Sequence, residues 1–184
     1  MRRNRTKEKE SRRAFVKNLT LNIYIFGYPI GVFDPKAIVL KSLTSAFRNF
    51  RLDLESLPED VYARSLGGKA RTVADIVYEV NLVNDDIVRN IQGEKPMDWP
   101  KGWVTAPPEL QAKEAVIAAF DASRDRVMAL FDSLTAEDME RAVVTEHGQT
   151  TPFERGRFIV LHVFYHSGQL NFIQTLLGDD GWHW

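Results

Sequence analysis

Long stretches without glycine or proline constrain the fold of this chain more than any other feature of its sequence. Three such stretches lie between Pro35 and Pro58, between Gly68 and Gly93, and between Pro108 and Gly148. A fourth, residues 152–178, contains only two internal glycines before Gly178. Because strands usually run for about 4–8 residues, stretches of this length predict helices.

Residues that begin and end helices lie at the limits of these stretches. Asp34 is an N-cap residue followed by a proline, which is favourable at the first helical position. Thr151 and Glu154 form a capping-box pattern, and Gly178 is a typical helix stop. We therefore predict no convincing strand and four helices, at residues 35–55, 72–92, 109–132 and 152–177.

Apolar residues recur at helical spacing within these segments. The first helix is expected to bury Ile38, Leu40, Leu43, Phe47, Phe50 and Leu54. Residues 93–108 form a linker long enough to cross the end of a bundle, and we expect Trp99 and Trp103 to hold it down. The predicted fold is all-α, a four-helix bundle with one long crossover connection between the second and third helices.

The basic residues are concentrated at the N-terminus. Residues 1–17 contain eight Lys or Arg and two Glu, which leaves 16 basic and 23 acidic residues in the rest of the chain. An acidic body disfavours nucleic-acid binding, which relies on Lys and Arg at phosphates. The apolar stretch 19–33 is interrupted by Asn22, Gly27 and Pro29, so we predict neither a signal peptide nor a membrane partner.

Three regions follow from this charge and helix pattern. Residues 1–33 are a basic and then apolar N-terminal extension, residues 34–178 are the bundle, and residues 179–184 are a C-terminal tail. Cysteine is absent, which excludes disulfides, thiolate ligands and a cysteine nucleophile. Its absence is consistent with a reducing compartment, and we expect a cytoplasmic protein.

His162 and His166 are four residues apart on the last helix. At 100° per residue they lie within about 40° of each other, and they share their face with the apolar residues Phe158, Ile159, Leu170, Ile173, Leu176 and Leu177. The two imidazoles are therefore expected to point into the core, where each needs polar partners. This spacing suits chelation of a divalent metal, but it equally fits two hydrogen-bonded core histidines.

A metal needs at least a third ligand from another helix. Glu79 shares a face of the second helix with Ile76 and Val83, and a carboxylate there is either an ordinary exposed glutamate or a metal ligand. Asp75 and Asp86 lie near the same face and are lesser candidates. We expect no specific role for His183, whereas His147 precedes the last helix and is placed to approach the end of the bundle.

Three stretches of the sequence resemble the DinB-like superfamily of metal-binding four-helix bundles, which includes the YfiT-type proteins. They are residues 71–79, which end at Glu79, residues 150–154, and residues 162–169, which run from His162 through His166 to Gln169. The resemblance covers residues 35–178 and is most specific in the last stretch. It implies metal ligands at His162, His166 and Glu79, although the family usually has histidine at the position of Glu79. Ser167 stands where the family usually has arginine.

The resemblance also implies a function. It indicates a divalent-metal-dependent enzyme that acts on a small molecule, with a thiol S-transferase ahead of a hydrolase and with zinc, nickel or iron as the metal. Gln169 is expected to support the ligands or contact the substrate, and the protein is expected to form a homodimer. The alternatives are a non-catalytic metal-binding or dimerising bundle and, less favoured, a DNA-damage-associated protein.

Overall fold

A computed structural model of the chain describes residues 24–25, 28–29, 34–145 and 148–184. These residues contain four α-helices, which we name α1 (Pro35–Ser56), α2 (Val73–Gln92), α3 (Lys113–Ser133) and α4 (Pro152–Leu176). The predicted all-α fold is confirmed. The largest difference is the start of α3, predicted at residue 109. The chain first closes a 3-10 turn at Pro108–Leu110, in which Leu110 N–H donates to the Pro107 carbonyl at 2.9 Å.

The predicted caps begin α1 and α4. The Asp34 carboxylate accepts from Ala37 N–H at 3.0 Å. At α4, the Thr151 hydroxyl accepts from Glu154 N–H at 3.2 Å, and the Glu154 carboxylate accepts from Thr151 N–H at 3.0 Å. Each bond satisfies an amide that has no partner within the helix.

The helices form a bundle with up–down–down–up topology. Ser167 on α4 contacts Asp53 on α1, and Asn84 on α2 contacts Ser123 on α3. Val39 of α1 lies beside Gly156 of α4, and Asp85 of α2 pairs with Arg126 of α3. In both pairs of helices the residue numbers increase together, so α1 runs parallel to α4 and α2 runs parallel to α3. Because α2 and α3 are consecutive and parallel, the chain must return along the bundle between them, which confirms the predicted crossover.

Two acidic residues of α2 hold this crossover linker. Asp86 accepts from the amide of Met97 at 3.1 Å, and Asp75 accepts from the amide of Ala106 at 2.7 Å. The linker therefore passes Asp86 first and Asp75 second as it returns along α2. Of the two tryptophans expected to hold it down, Trp99 is partly buried, whereas Trp103 is 71% exposed.

The core lies between the four helices and contains most of the predicted residues. Leu43, Phe47, Phe50 and Leu54 of α1 are buried, whereas the prediction for Ile38 was wrong, because its side chain is largely exposed. The helices approach closely at Gly156 of α4, where an added Cβ would lie 2.5 Å from Val39 Cγ1 and 2.9 Å from the Phe131 ring. Only glycine fits there without displacing its neighbours.

Two short hairpins were not predicted from the sequence. Strands β1 (Tyr24–Ile25) and β2 (Tyr28–Pro29) pair within the N-terminal extension, and β3 (Val143–Thr145) pairs with β4 (Gly148–Thr150) before α4. Segments this short carry too little alternating pattern for sequence analysis to detect. The basic residues 1–17 lie outside the described residues. No helix of the described residues is long and apolar enough to cross a membrane.

The C-terminal tail folds back onto the bundle. The Trp184 indole donates to Oδ1 of Asp53 at 2.6 Å, and the Gln174 amide donates to the Gly181 carbonyl at 2.9 Å. The Ser167 hydroxyl donates to the other oxygen of Asp53. The tail is thereby attached to α1 and α4, and Ser167 binds the carboxylate of Asp53.

Candidate metal centre

Neighbouring antiparallel helices bring Glu79 of α2 to His162 and His166 of α4. The two Nε2 atoms are 3.1 Å apart. Oε1 of Glu79 lies 3.8 Å from Nε2 of His162 and 3.7 Å from Nε2 of His166. The three side chains that the sequence proposes as ligands are therefore close together, each with one donor atom directed at a shared space.

These distances fit a small divalent ion. A triangle with these three sides has a circumscribed circle of about 2.1 Å radius, and bonds from Zn²⁺ to imidazole nitrogen and carboxylate oxygen are about 2.0–2.2 Å long. Two imidazoles and one carboxylate also form a donor set that zinc, nickel and iron(II) accept. The cluster of Glu79, His162 and His166 can therefore hold a metal.

Gln169 orients His166 within the cluster. Its amide oxygen lies 2.7 Å from Nδ1 of His166. An amide oxygen can only accept, so Nδ1 carries the proton and the lone pair of the neutral ring is on Nε2. Nε2 is the atom that faces Glu79 and His162, and His166 is therefore held in the tautomer that a metal ligand requires.

Arg71, in the loop before α2, orients Glu79. Its guanidinium donates to Oε2 of Glu79 and, at 2.6 Å, to the backbone carbonyl of Asp75. Oε1 of Glu79 remains directed at the imidazoles. Arg71 is the first residue of the stretch 71–79 that resembles the DinB-like superfamily, but no role was predicted for it. The available signal was a basic residue just before the Thr72 cap, eight positions from the carboxylate.

Both imidazoles are neutral near pH 7. Burial, with a smaller contribution from the nearby His166, lowers the pKa of His162 to about 4. Burial also lowers the pKa of His166, and the hydrogen bond to Gln169 partly opposes this shift. A metal binds the neutral form of histidine, so no proton has to leave either ring at neutral pH.

The centre is closed on one side and open on the other. The His166 side chain is 1% exposed, whereas those of His162 and Glu79 are 13% and 22% exposed. The Phe158 ring stacks on His162 at a centroid distance of 5.9 Å, and the Tyr165 ring meets His166 edge-on at 5.0 Å. A small molecule therefore has access from the side of His162 and Glu79.

The remaining predicted candidates lie elsewhere. Asp75 and Asp86 bind the crossover linker, as described above. His183 pairs with Asp179 at 2.9 Å, and His147 lies outside the described residues. On α4, Phe158 and Leu176 were expected to share the buried face of the histidines, but both are largely exposed. The buried face contains Ile159, Val163, Leu170 and Ile173.

Comparison with known proteins agrees with this architecture. A DinB-like protein from Bacillus subtilis is 12% identical and has a TM-score of 0.60, over 77% of this chain and 92% of its own. A conserved protein from Enterococcus faecalis is also 12% identical and has a TM-score of 0.62, over 80% of this chain and 100% of its own. At this identity the similarity shows a common fold. No curated protein matches the sequence.

The sequence itself matches a family profile over most of its length. Residues 42–170 match the profile of the DinB superfamily. The match includes Glu79, His162, His166 and Gln169, and it begins within α1 and ends within α4. This chain belongs to the DinB superfamily.

Proposed function

We propose that this protein is a divalent-metal-dependent enzyme that acts on a small molecule, and that a thiol S-transferase is the best candidate. The observation that carries the proposal is that the donor atoms of Glu79, His162 and His166 lie on a circle of about 2.1 Å radius. The centre of this circle is therefore one zinc–ligand bond length from each donor atom. Zinc, nickel and iron(II) are the metals that suit these ligands.

An enzyme is favoured over a structural metal site because the protein supplies three ligands. Structural zinc sites are closed by four protein ligands, whereas catalytic sites keep a position free. The only cluster of three potential ligands among the described residues is this one. Its partial exposure at Glu79 and His162 gives a small molecule a route to it.

The side chains of the centre have separate roles in this proposal. Glu79, His162 and His166 hold the metal, Gln169 fixes the tautomer of His166, and Arg71 fixes the orientation of Glu79. A divalent metal at this position supplies a Lewis acid, which lowers the pKa of a thiol or of water. The rings of Phe158 and Tyr165 pack against the imidazoles of His162 and His166.

A transferase is favoured over a hydrolase because the attacking thiol loses its proton more easily than the attacking water does. A metal lowers the pKa of bound water only to about 7, whereas a bound thiol is deprotonated outright, so hydrolysis gains more from an additional general base than thiol transfer does. The other acidic residues near this face of α2, Asp75 and Asp86, accept hydrogen bonds from linker amides and are not free for that task. A thiol with a lowered pKa loses its proton to solvent, so thiol transfer requires no additional base.

The second candidate is a non-catalytic metal-binding or dimerising bundle. It is favoured by several large apolar side chains that are exposed on α4, namely Leu161, Tyr165, Phe172 and Leu176. Exposed apolar surface of this kind often marks an interface, and a homodimer is the simplest arrangement that would cover it. A role in the DNA-damage response has no support from the described residues.

The two candidates differ in their response to thiols. The cobalt-substituted protein is titrated with mercaptoethanol, and transfer of the thiol to chlorodinitrobenzene is followed. In the reaction a sulfur–carbon bond forms, the carbon–chlorine bond breaks, chloride leaves and the thiol proton goes to solvent. We expect a thiolate-to-cobalt absorption band and transfer above the uncatalysed rate. Both should be lost in His166→Ala and kept in His183→Ala.

Two results would contradict this assignment. Hydrolysis of para-nitrophenyl acetate that depends on His166, without any thiolate band, would favour the hydrolase. Metal binding without a thiolate band and without either reaction would favour the non-catalytic bundle.

A further inference from the structure

A cavity of about 410 Å³ lies beside the candidate metal centre. The loop before α2, the crossover linker and the C-terminal half of α4 surround it. Its apolar walls are formed by Leu66, Ile76, Phe172, Ile173 and Leu176, and Trp103 and Tyr165 add aromatic surface. Its volume lies within the range of about 300–1,000 Å³ that is typical of pockets for small organic molecules.

Residues that line the cavity also contact the proposed metal ligands. Arg71 binds the Glu79 carboxylate, and Gln169 binds Nδ1 of His166. Tyr165 packs edge-on against the His166 ring. The cavity is therefore separated from the metal centre by single side chains, and a molecule bound in it lies next to the ligands.

The charged residues of the cavity are both basic. Lys69 has no ion pair or hydrogen bond with any other described residue, and the Arg71 side chain is only 9% exposed. Nε of Arg71 is buried without a hydrogen-bond partner among the described residues. No carboxylate is among the described residues that line the cavity. Arg71 already pairs with Glu79 through one side of its guanidinium, so the Lys69 ammonium and Nε–H of Arg71 are the donors that an anionic group would complement.

We propose that this cavity binds a small organic monocarboxylate with an apolar body, of the arylalkyl or medium-chain aliphatic type. The carboxylate lies at Lys69 and Arg71, and the apolar body packs against Phe172 and the other apolar walls. That this molecule is the substrate rests on the proposed function, whereas its binding does not require the metal. The apolar walls alone would also suit a second copy of this chain, but an unpaired lysine and a buried arginine favour an anion.

The experiment measures calorimetric binding of phenylbutyrate and of its neutral analogue phenylbutyramide. Both are titrated into the full-length protein, with and without zinc. We expect phenylbutyrate to bind both forms and the amide to bind about fivefold more weakly, because fivefold is the upper end of the effect of a charge interaction at a partly exposed site. In the cobalt-substituted protein, phenylbutyrate should also shift the visible spectrum, since the cavity adjoins the ligands.

Two pairs of variants locate the binding site. Lys69→Ala should weaken phenylbutyrate binding about fivefold and leave binding of the amide unchanged. Phe172→Ala should weaken binding of both compounds about fivefold, because it removes apolar contact area. The matched controls are Lys101→Ala, an exposed linker lysine outside the cavity, and Leu161→Ala, an exposed apolar residue of α4 outside it.

The outcomes separate this proposal from the proposed function. Equal binding of the acid and the amide, or equal effects of Lys69→Ala and Lys101→Ala, would overturn the proposal of an anion site. So would a failure of phenylbutyrate to bind a protein that sediments as a dimer, because a second copy would then cover the cavity. If phenylbutyrate binds as described but the protein retains no metal, the anion site stands and the proposed function fails.

Discussion

The amide oxygen of Gln169 accepts a hydrogen bond from Nδ1 of His166 at 2.7 Å, one helical turn from the ring it orients. Because this bond places the proton of the neutral ring on Nδ1, the lone pair of Nε2 faces Oε1 of Glu79, 3.7 Å away. Gln169 therefore holds His166 in the tautomer whose Nε2 lone pair is directed at Glu79.

Replacing Gln169 should weaken metal binding. In Gln169→Leu the His166 ring loses the partner that fixes its tautomer, and we expect zinc affinity to fall by about 10-fold to 100-fold. The measurement is competition with a chromogenic chelator. Gln92→Leu, an exposed glutamine at the end of α2, is the control and should bind zinc like the wild type. Unchanged affinity in Gln169→Leu would show that the hydrogen bond has no role in ligand orientation.

The two glycines within α4 should respond in opposite ways to alanine. Gly156→Ala places a methyl group against Val39 and Phe131, and we expect it to destabilise the protein by about 1–3 kcal/mol. At Gly168 an added Cβ meets no atom within 4 Å, so Gly168→Ala should stabilise the helix by about 0.5–1 kcal/mol. Urea unfolding of both variants tests the pair, and equal effects would contradict the close approach at Gly156.

Asp53 should make the folded protein less stable as the pH rises. Its burial raises the pKa of its carboxyl group, although hydrogen bonds from Ser167, Trp184 and Asn171 and the charge of His183 oppose the shift. The folded state then holds this proton at a pH where the unfolded state has lost it. Stability from this group is therefore full below the ordinary pKa of 3.8 and is lost as the pH rises through the folded-state pKa.

The variant Asp53→Asn removes this pH dependence, since asparagine does not titrate. We expect the unfolding free energy of the variant, relative to the wild type, to increase as the pH is raised from 4 towards neutrality. Urea unfolding at a series of pH values provides the measurement, and Asp98→Asn, at an exposed linker position, is the control. A difference that decreases with pH would mean that the hydrogen bonds to Asp53, and not its burial, dominate.

Helix number and bundle class were predictable from sequence because they depend on local signals. The spacing of glycine and proline located the four helices, and the predicted N-caps of α1 and α4, Asp34 and Thr151, are confirmed. The buried face of α4 was less predictable, because that helix is apolar nearly all round and periodicity does not separate its faces. Phe158 and Leu176 were placed inside for this reason, and they are exposed.

The candidate site shows the same division between local and long-range information. The spacing of His162 and His166 fixes their common direction within a single helix. The role of Asp53 depends on contacts between segments far apart in sequence, such as that with Trp184. Arg71 is only eight residues from Glu79, but it lies in a loop, where helical periodicity does not indicate the direction of its side chain. The proximity of Glu79 to the histidines followed from helix faces together with the family resemblance, and the structure adds the distances.

The most direct test of the metal centre is the metal content of the purified protein. Wild-type protein is loaded with zinc, dialysed and analysed by mass spectrometry, beside His162→Ala, His166→Ala, Glu79→Ala and the control His183→Ala. We expect about one equivalent of zinc, bound by one cluster of three ligands, in the wild type and in His183→Ala, and much less in the other three. Wild-type protein with far less than one equivalent, or equal zinc in His166→Ala and His183→Ala, would contradict the proposed centre.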